Sequence, residues 1–415
     1  MKIKIEKDTF LAFFLSATIW FTPLRTFVIE VGNILYPGIG IWISRSMIIC
    51  FAAYSFLPFY NYVKLKKLDI LLLLFVFFQW FRSFIFHTEY VNEYVNILGK
   101  YIFKCVPYYL VARNLTNWKL VRKYLYKSGT VCILLMGGLT LIKSIKGEIF
   151  IGTETYSMFY GLLIGKGIII KCIEFIDTKR YQLLPFILIS MVLMILYGTR
   201  TPIVCVIISI LLCFTVYIID FIRHRKIFFK RNCWKLMLIF IILCFAGVFF
   251  IEKVRNQKMN TIAPGERILY AISNGEFFQS KGRMSIYIAA GKVILNHSIL
   301  GLGLIGDRIA ITETLGISME KFTGYYAHNL FLELILQNGI IIGAVFSILV
   351  IAACFHGLLI ISDKDKRWVY VYLIGYGIGS LMFTDTIIGV VEFWIFLSIG
   401  MEYIKIRPFE NRFRE

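Results

Sequence analysis

Apolar runs of about 20 residues, the length that crosses a bilayer as helix, recur along nearly the whole chain between short polar connections. A bilayer interior offers backbone groups no water, so each run is expected to pair its own amides as a helix. The pattern predicts spans near 9–29, 39–60, 69–87, 94–112, 127–145, 156–174, 181–198, 201–219, 233–252, 329–361, 368–386 and 389–404. The run from 329 is longer than a crossing needs and is expected to tilt or to start outside the bilayer. The fold class that follows is all-α, a polytopic membrane protein of about 12 transmembrane helices.

One stretch breaks the rhythm. Residues 253–327 form a single long hydrophilic loop, and loops of that length are usually functional. Within it, apolar residues at 284, 287, 288, 291, 294 and 295 fall near helical spacing. They predict a short amphipathic helix over Arg283–Asn296, ended by Gly301 and Gly303. The chain then divides into 1–252 with nine spans, the loop 253–327, and 328–415 with three spans and a tail.

Charge sets the orientation. Placing the N-terminus inside assigns 27 of the 45 Lys and Arg to inner segments and leaves the short connections 30–38, 88–93 and 387–391 without any. Basic residues favour the cytoplasmic side, so both termini are expected in the cytoplasm and 253–327 outside. The formal charge of +20 therefore follows from topology and implies no nucleic-acid partner. The basic, apolar N-terminus lacks a small-x-small cleavage site and reads as the first membrane helix. The nine cysteines are scattered and avoid the long loop, which argues against a disulfide framework or a metal site.

Some cations lie where topology does not want them. Arg45 and Arg82 fall a turn or two inside the outer ends of their spans, and Arg200 sits in a tight outer turn. Lys100 and Lys104, four apart, are expected on one helix face. Each alone can snorkel to the interface. Together they suggest a site for an anionic ligand at the outer interface. Lys166 reads equally as a mid-membrane functional residue or a snorkelling one.

Three segments then resemble the O-antigen polymerase/ligase family of bacterial polysaccharide assembly. The first is Tyr197-Gly198-Thr199-Arg200-Thr201. The second is Gly282-Arg283, the amphipathic helix, and His297-Ser298-Ile299-Leu300-Gly301-Leu302-Gly303, where serine stands in place of the family's proline. The third is Ala327-His328-Asn329-Leu330-Phe331-Leu332-Glu333, reaching Gly339. The resemblance covers approximately 150–400 and implies a bacterial cytoplasmic-membrane enzyme. It would carry out metal-independent glycosyl transfer from a polyprenyl-diphosphate-linked oligosaccharide, with no cofactor. Membrane lipid, a flippase and a chain-length regulator are the further partners it implies.

Such chemistry must stabilise a leaving diphosphate, for which the arginine fork is suited, and take a proton from an acceptor hydroxyl, for which histidine is suited. The candidates are Arg200 and Arg283 as diphosphate clamps and His328 as base or orienting group. Arg45, Arg82, Lys100, Lys104, Tyr326 and Asn329 are candidate substrate contacts, and Glu333 and Glu392 are the acidic alternatives for a base. A repeat-unit polymerase is the main expectation, since the Ile-, Lys- and Phe-rich usage shows no feature specific to ligases. A ligase remains the alternative, as does a lipid-linked glycan transporter, which should show an internal repeat that the sequence lacks.

Overall fold

The computed structural model describes residues 6–61, 64–146, 158–197, 200–224, 281–297, 299–319 and 325–403. The expected span 233–252, the Gly198-Thr199 pair and most of the long loop lie outside these residues. Every described element is helical. The helices are α1 (Lys7–Leu35), α2 (Ile39–Asn61), α3 (Lys67–Phe86), α4 (Val91–Lys100), α5 (Val106–Arg113), α6 (Trp118–Ile145), α7 (Met158–Thr178), α8 (Leu183–Leu196) and α9 (Arg200–His224). After the loop come α10 (Lys281–Asn296), α11 (Gly306–Thr314), α12 (Leu330–Asn338), α13 (Ile340–Ile360), α14 (Lys364–Tyr372), α15 (Gly379–Leu381) and α16 (Val391–Tyr403). Among them α1, α3, α6 and α13 are long and apolar enough to cross a membrane, and α2, α8 and α9 contain shorter apolar stretches.

Helices in lipid gain little from burying one apolar surface against another, so close approach through small residues matters more. α6 and α7 cross at Gly129 and Gly167, where an added Cβ on either would press on Ile170 or Ile133 of the opposite helix at 2.8 and 2.7 Å. Buried polar groups are paired across the bundle. Asp69 of α3 accepts from Tyr109 at 2.7 Å and bridges Arg113 at 3.1 Å. Removing one partner of such a pair strands a buried charge, at a cost of roughly 3–5 kcal/mol.

Two expectations change. The single long span from 329 is two helices broken at Gly339, whose φ of 81° lies in the left-handed region. The break lets the Gly301–Gly303 segment dock on the end of α12. Leu302 and Gly303 donate to the Leu336 and Gln337 carbonyls at 2.8 and 2.9 Å, satisfying groups the last turn of a helix leaves open. A Cβ on Gly339 would overlap the Ile299 carbonyl, and one on Gly301 the Gly339 amide. Gly343 continues the close contact, its Cα side facing Ile335. Gly339→Ala should therefore lower the detergent melting temperature well beyond Gly316→Ala, which shares a positive φ (65°) but has open space around it. Equal losses in a thermal denaturation series would show that only backbone strain is at work.

The second change concerns α10. The helix forms where expected, but its buried face is Ile286, Ala289, Ala290 and Val293, packed near Ile311, Ala327 and Leu336. Of the expected stripe, Met284, Ile288 and Leu295 are exposed. Ala289 and Ala290 permit close approach, so they share the inner face with Ile286 and Val293, while Met284, Ile288 and Leu295 face the surroundings.

Candidate active site

Asn329 caps α12, its side-chain oxygen accepting from the amides of Phe331 and Leu332 at 3.0 and 3.2 Å. The chain enters this cap through His328, which holds φ 48°, a conformation that costs a non-glycine residue on the order of 1–3 kcal/mol. The turn lays the imidazole on Tyr326, ring centroids 3.9 Å apart. The Tyr326 hydroxyl donates to the Thr384 carbonyl, which also faces the His328 ring. His328 Nδ1 is buried and has no hydrogen-bond partner among the described residues. In the tautomer that carries its proton on Nε2, this unpartnered Nδ1 is the nitrogen with the lone pair.

One guanidinium group, of Arg308, packs near this pair of rings, and a second, of Arg283, lies within electrostatic reach of it. Arg283 comes from the first turn of α10 and Arg308 from the first turn of α11. The Arg308 guanidinium lies 5.4 Å from the Tyr326 ring centroid. Burial, then the charge of Arg283 and that of Arg308, lower the His328 pKa from 6.5 to about 4, with the Thr384 carbonyl pulling the other way. The imidazole is thus neutral throughout the physiological range.

Both α11 and α12 are too short to span a bilayer. Between them lies a carboxyl pair. Glu333 accepts from the Ile387 amide at 3.2 Å and from Gln337 at 3.1 Å, and the same Gln337 amide reaches Asp307 at 3.4 Å. Burial, reinforced by the charge of Asp307, pushes Glu333 up, and burial pushes Asp307 up. Glu333 is therefore tied into the scaffold that joins α11, α12 and residue 387.

The other expected residues scatter. Arg82 donates to the Leu300 carbonyl at 2.7 Å and the Gln337 carbonyl at 3.1 Å, clamping α3 to the Gly301–Gly303 segment. Arg45 is exposed and stacks on Trp42 of its own helix at 5.4 Å. A π-helical turn, Tyr101–Cys105, separates α4 from α5 and contains Lys104. Lys100 and Lys104 are both exposed, and Lys104 donates to the Gly389 carbonyl at 2.9 Å. Lys104 lies within electrostatic reach of Asp385, itself in reach of Tyr326. Arg200 opens α9, and Cys205 on the same helix reaches that Asp385 and packs 3.2 Å from a Cβ built on Gly379.

Lys166 pairs with Glu392 at 2.7 Å and donates to the Thr18 carbonyl at 3.2 Å, with Tyr372 donating to Glu392 at 3.1 Å. Glu392 is thereby committed to a basic neighbour. Arg308, Thr384 and Asp385 were not picked out from the sequence. No local signal separates Arg308 from the other basic residues of 253–327.

The four helices long and apolar enough to cross a bilayer define the class, a multi-helix membrane protein. Residues 185–348 match the model of the O-antigen ligase family, and all three motif segments fall inside that match. That match takes in less than half of the chain and coincides with the resemblance carried by the motifs. Over 170 residues it is 30% identical to a ComP-specific O-oligosaccharyltransferase of Acinetobacter baylyi. That stretch covers 40% of this chain and 28% of the relative. No solved structure matches the chain.

Proposed function

We propose that this protein is a ligase-type glycosyltransferase that moves an oligosaccharide from a lipid-diphosphate carrier to the hydroxyl of a separate acceptor. The family description and the oligosaccharyltransferase relative both favour this over the repeat-unit polymerase that was the first expectation. The observation that carries it is the convergence of Arg283 and Arg308 on the Tyr326–His328 pair, with His328 Nδ1 buried and unpartnered among the described residues.

The acceptor oxygen forms a bond to the anomeric carbon while the bond from that carbon to the diphosphate oxygen breaks. The electron pair leaves with the diphosphate, whose charge the guanidinium groups meet. The hydroxyl proton passes to His328 Nδ1. Arg200 is read as a further cation on the same anion path, and Lys104 and Asp385 as its inner edge. The site is read as facing outward, with both termini in the cytoplasm.

The test is the product pattern from purified protein given a lipid-diphosphate oligosaccharide and an acceptor. A ligase yields the acceptor plus one glycan. A ladder of lengthened lipid-linked glycans would restore the polymerase. An impermeant acceptor added to sealed right-side-out vesicles tests the side, since outward-facing chemistry requires it to be modified.

A further inference from the structure

A largely apolar cavity of about 440 Å³ lies between α3, α13 and α16. Leu72 and Val76 of α3, Phe346 and Val350 of α13, and Trp394 and Leu397 of α16 form its walls. Its volume falls within the usual range for small-molecule sites. α3 and α13 are the two candidate spans that bury least of themselves inside the protein, so the cavity sits where helices meet lipid.

The cavity is not polar throughout, but it has one polar end. There Gln79, Gln337 and Asn338 join the lining. Gln79 is 5% exposed and its Oε1 has no partner among the described residues. Gln337 and Ile387, both on the cavity wall, are the groups that hold Glu333. Glu333 is within electrostatic reach of Tyr326 and Arg308. The polar end of the cavity is thus continuous, through two shared residues, with the scaffold of the histidine site.

We infer that this cavity holds part of the hydrocarbon chain of the lipid-diphosphate substrate, and so makes the protein selective for carrier chain length. The inference rests on the proposed transfer reaction for the identity of the substrate, but not for its test. A head group held by Arg283 and Arg308 must send its chain into the bilayer. The apolar cavity that starts at the site's own scaffold offers that chain a fixed course. An apolar wall contributes in proportion to the chain area it covers, so a chain too short to enter should lose that contribution.

The experiment is direct binding of undecaprenyl diphosphate and farnesyl diphosphate to the purified protein, and to Leu349→Trp and Leu72→Trp. Leu349 lines the cavity and is 39% exposed, so the larger ring fills space without entering the bundle core. The wild type should bind the long chain about tenfold or more tightly than the short one, the scale set by a few hydrophobic contacts. Both tryptophan variants should erase that preference and leave farnesyl diphosphate binding unchanged. Equal binding of the two chains by the wild type would overturn the inference. So would a long-chain preference that survives both substitutions, as expected if a bilayer phospholipid fills the cavity. Chain-length preference without any glycan transfer would keep this inference and defeat the reaction.

Discussion

Replacing His328 by alanine should reduce glycan transfer by about 10²–10⁴-fold, the usual contribution of a positioned acid or base. Binding of the lipid diphosphate should be retained, because Arg283 and Arg308 carry that charge. The pH profile gives a sharper form of the same prediction. A free histidine would lose basicity below about pH 6.5. Burial and the charge of Arg283 hold His328 near 4. Transfer should therefore stay level from pH 7 down to about 5 and fall only as the pH nears 4. His328→Gln separates the two roles open to this side chain, since glutamine can orient a hydroxyl but cannot take its proton. If the glutamine variant transfers at the parent rate, His328 orients the acceptor, and the base must be the substrate itself or a carboxylate.

Arg283→Lys should lose about 10²–10³-fold in turnover, the range for removing one preorganised donor to a developing anion. Lysine keeps the charge but not the planar fork that pairs two phosphate oxygens. Arg308→Lys should behave alike if both guanidinium groups grip the leaving diphosphate. Arg45→Lys should have little effect, because Arg45 is exposed and stacked on its own helix. Arg82→Lys should act differently again, lowering stability through the lost carbonyl contacts to Leu300 and Gln337. Turnover and thermal stability measured on the four variants sort them. Near-normal turnover in both Arg283→Lys and Arg308→Lys would remove the arginines from the reaction.

The helices were legible because lipid imposes one rule on every segment, and an apolar run of sufficient length satisfies it almost regardless of detail. That rule says nothing about breaks. Gly339 interrupts a run that stays apolar on both sides, and only its positive φ and its contact with Ile299 reveal the reason. The His328–Asn329 pair was legible as a motif, and the structure gives it a physical meaning: asparagine caps a helix and histidine makes the turn into that cap. Arg283 and His328 were named together and are found together. Arg308, Thr384 and Asp385 were invisible, since their roles come from the folding of distant segments onto Tyr326 and not from any spacing along the chain. Arg82 was legible as a cation inside a span, and its contacts with the Leu300 and Gln337 carbonyls were not. A cation inside a span can serve an anionic ligand or the backbone carbonyls of a neighbouring turn, and composition does not distinguish them. The apolar stripe on α10 misled for a related reason, because packing selects small residues for the inner face as readily as large ones.

Ligase-type transfer requires that lipid diphosphate be released as glycan is transferred. Purified protein in nanodiscs, given a labelled lipid-diphosphate oligosaccharide and an acceptor, allows both to be counted in one sample. One lipid diphosphate should be freed for each glycan gained by an acceptor, and both should fall together by about 10²–10⁴-fold in His328→Ala. Binding of the donor with no glycan gained by any acceptor, or full transfer by the alanine variant, would contradict this mechanism.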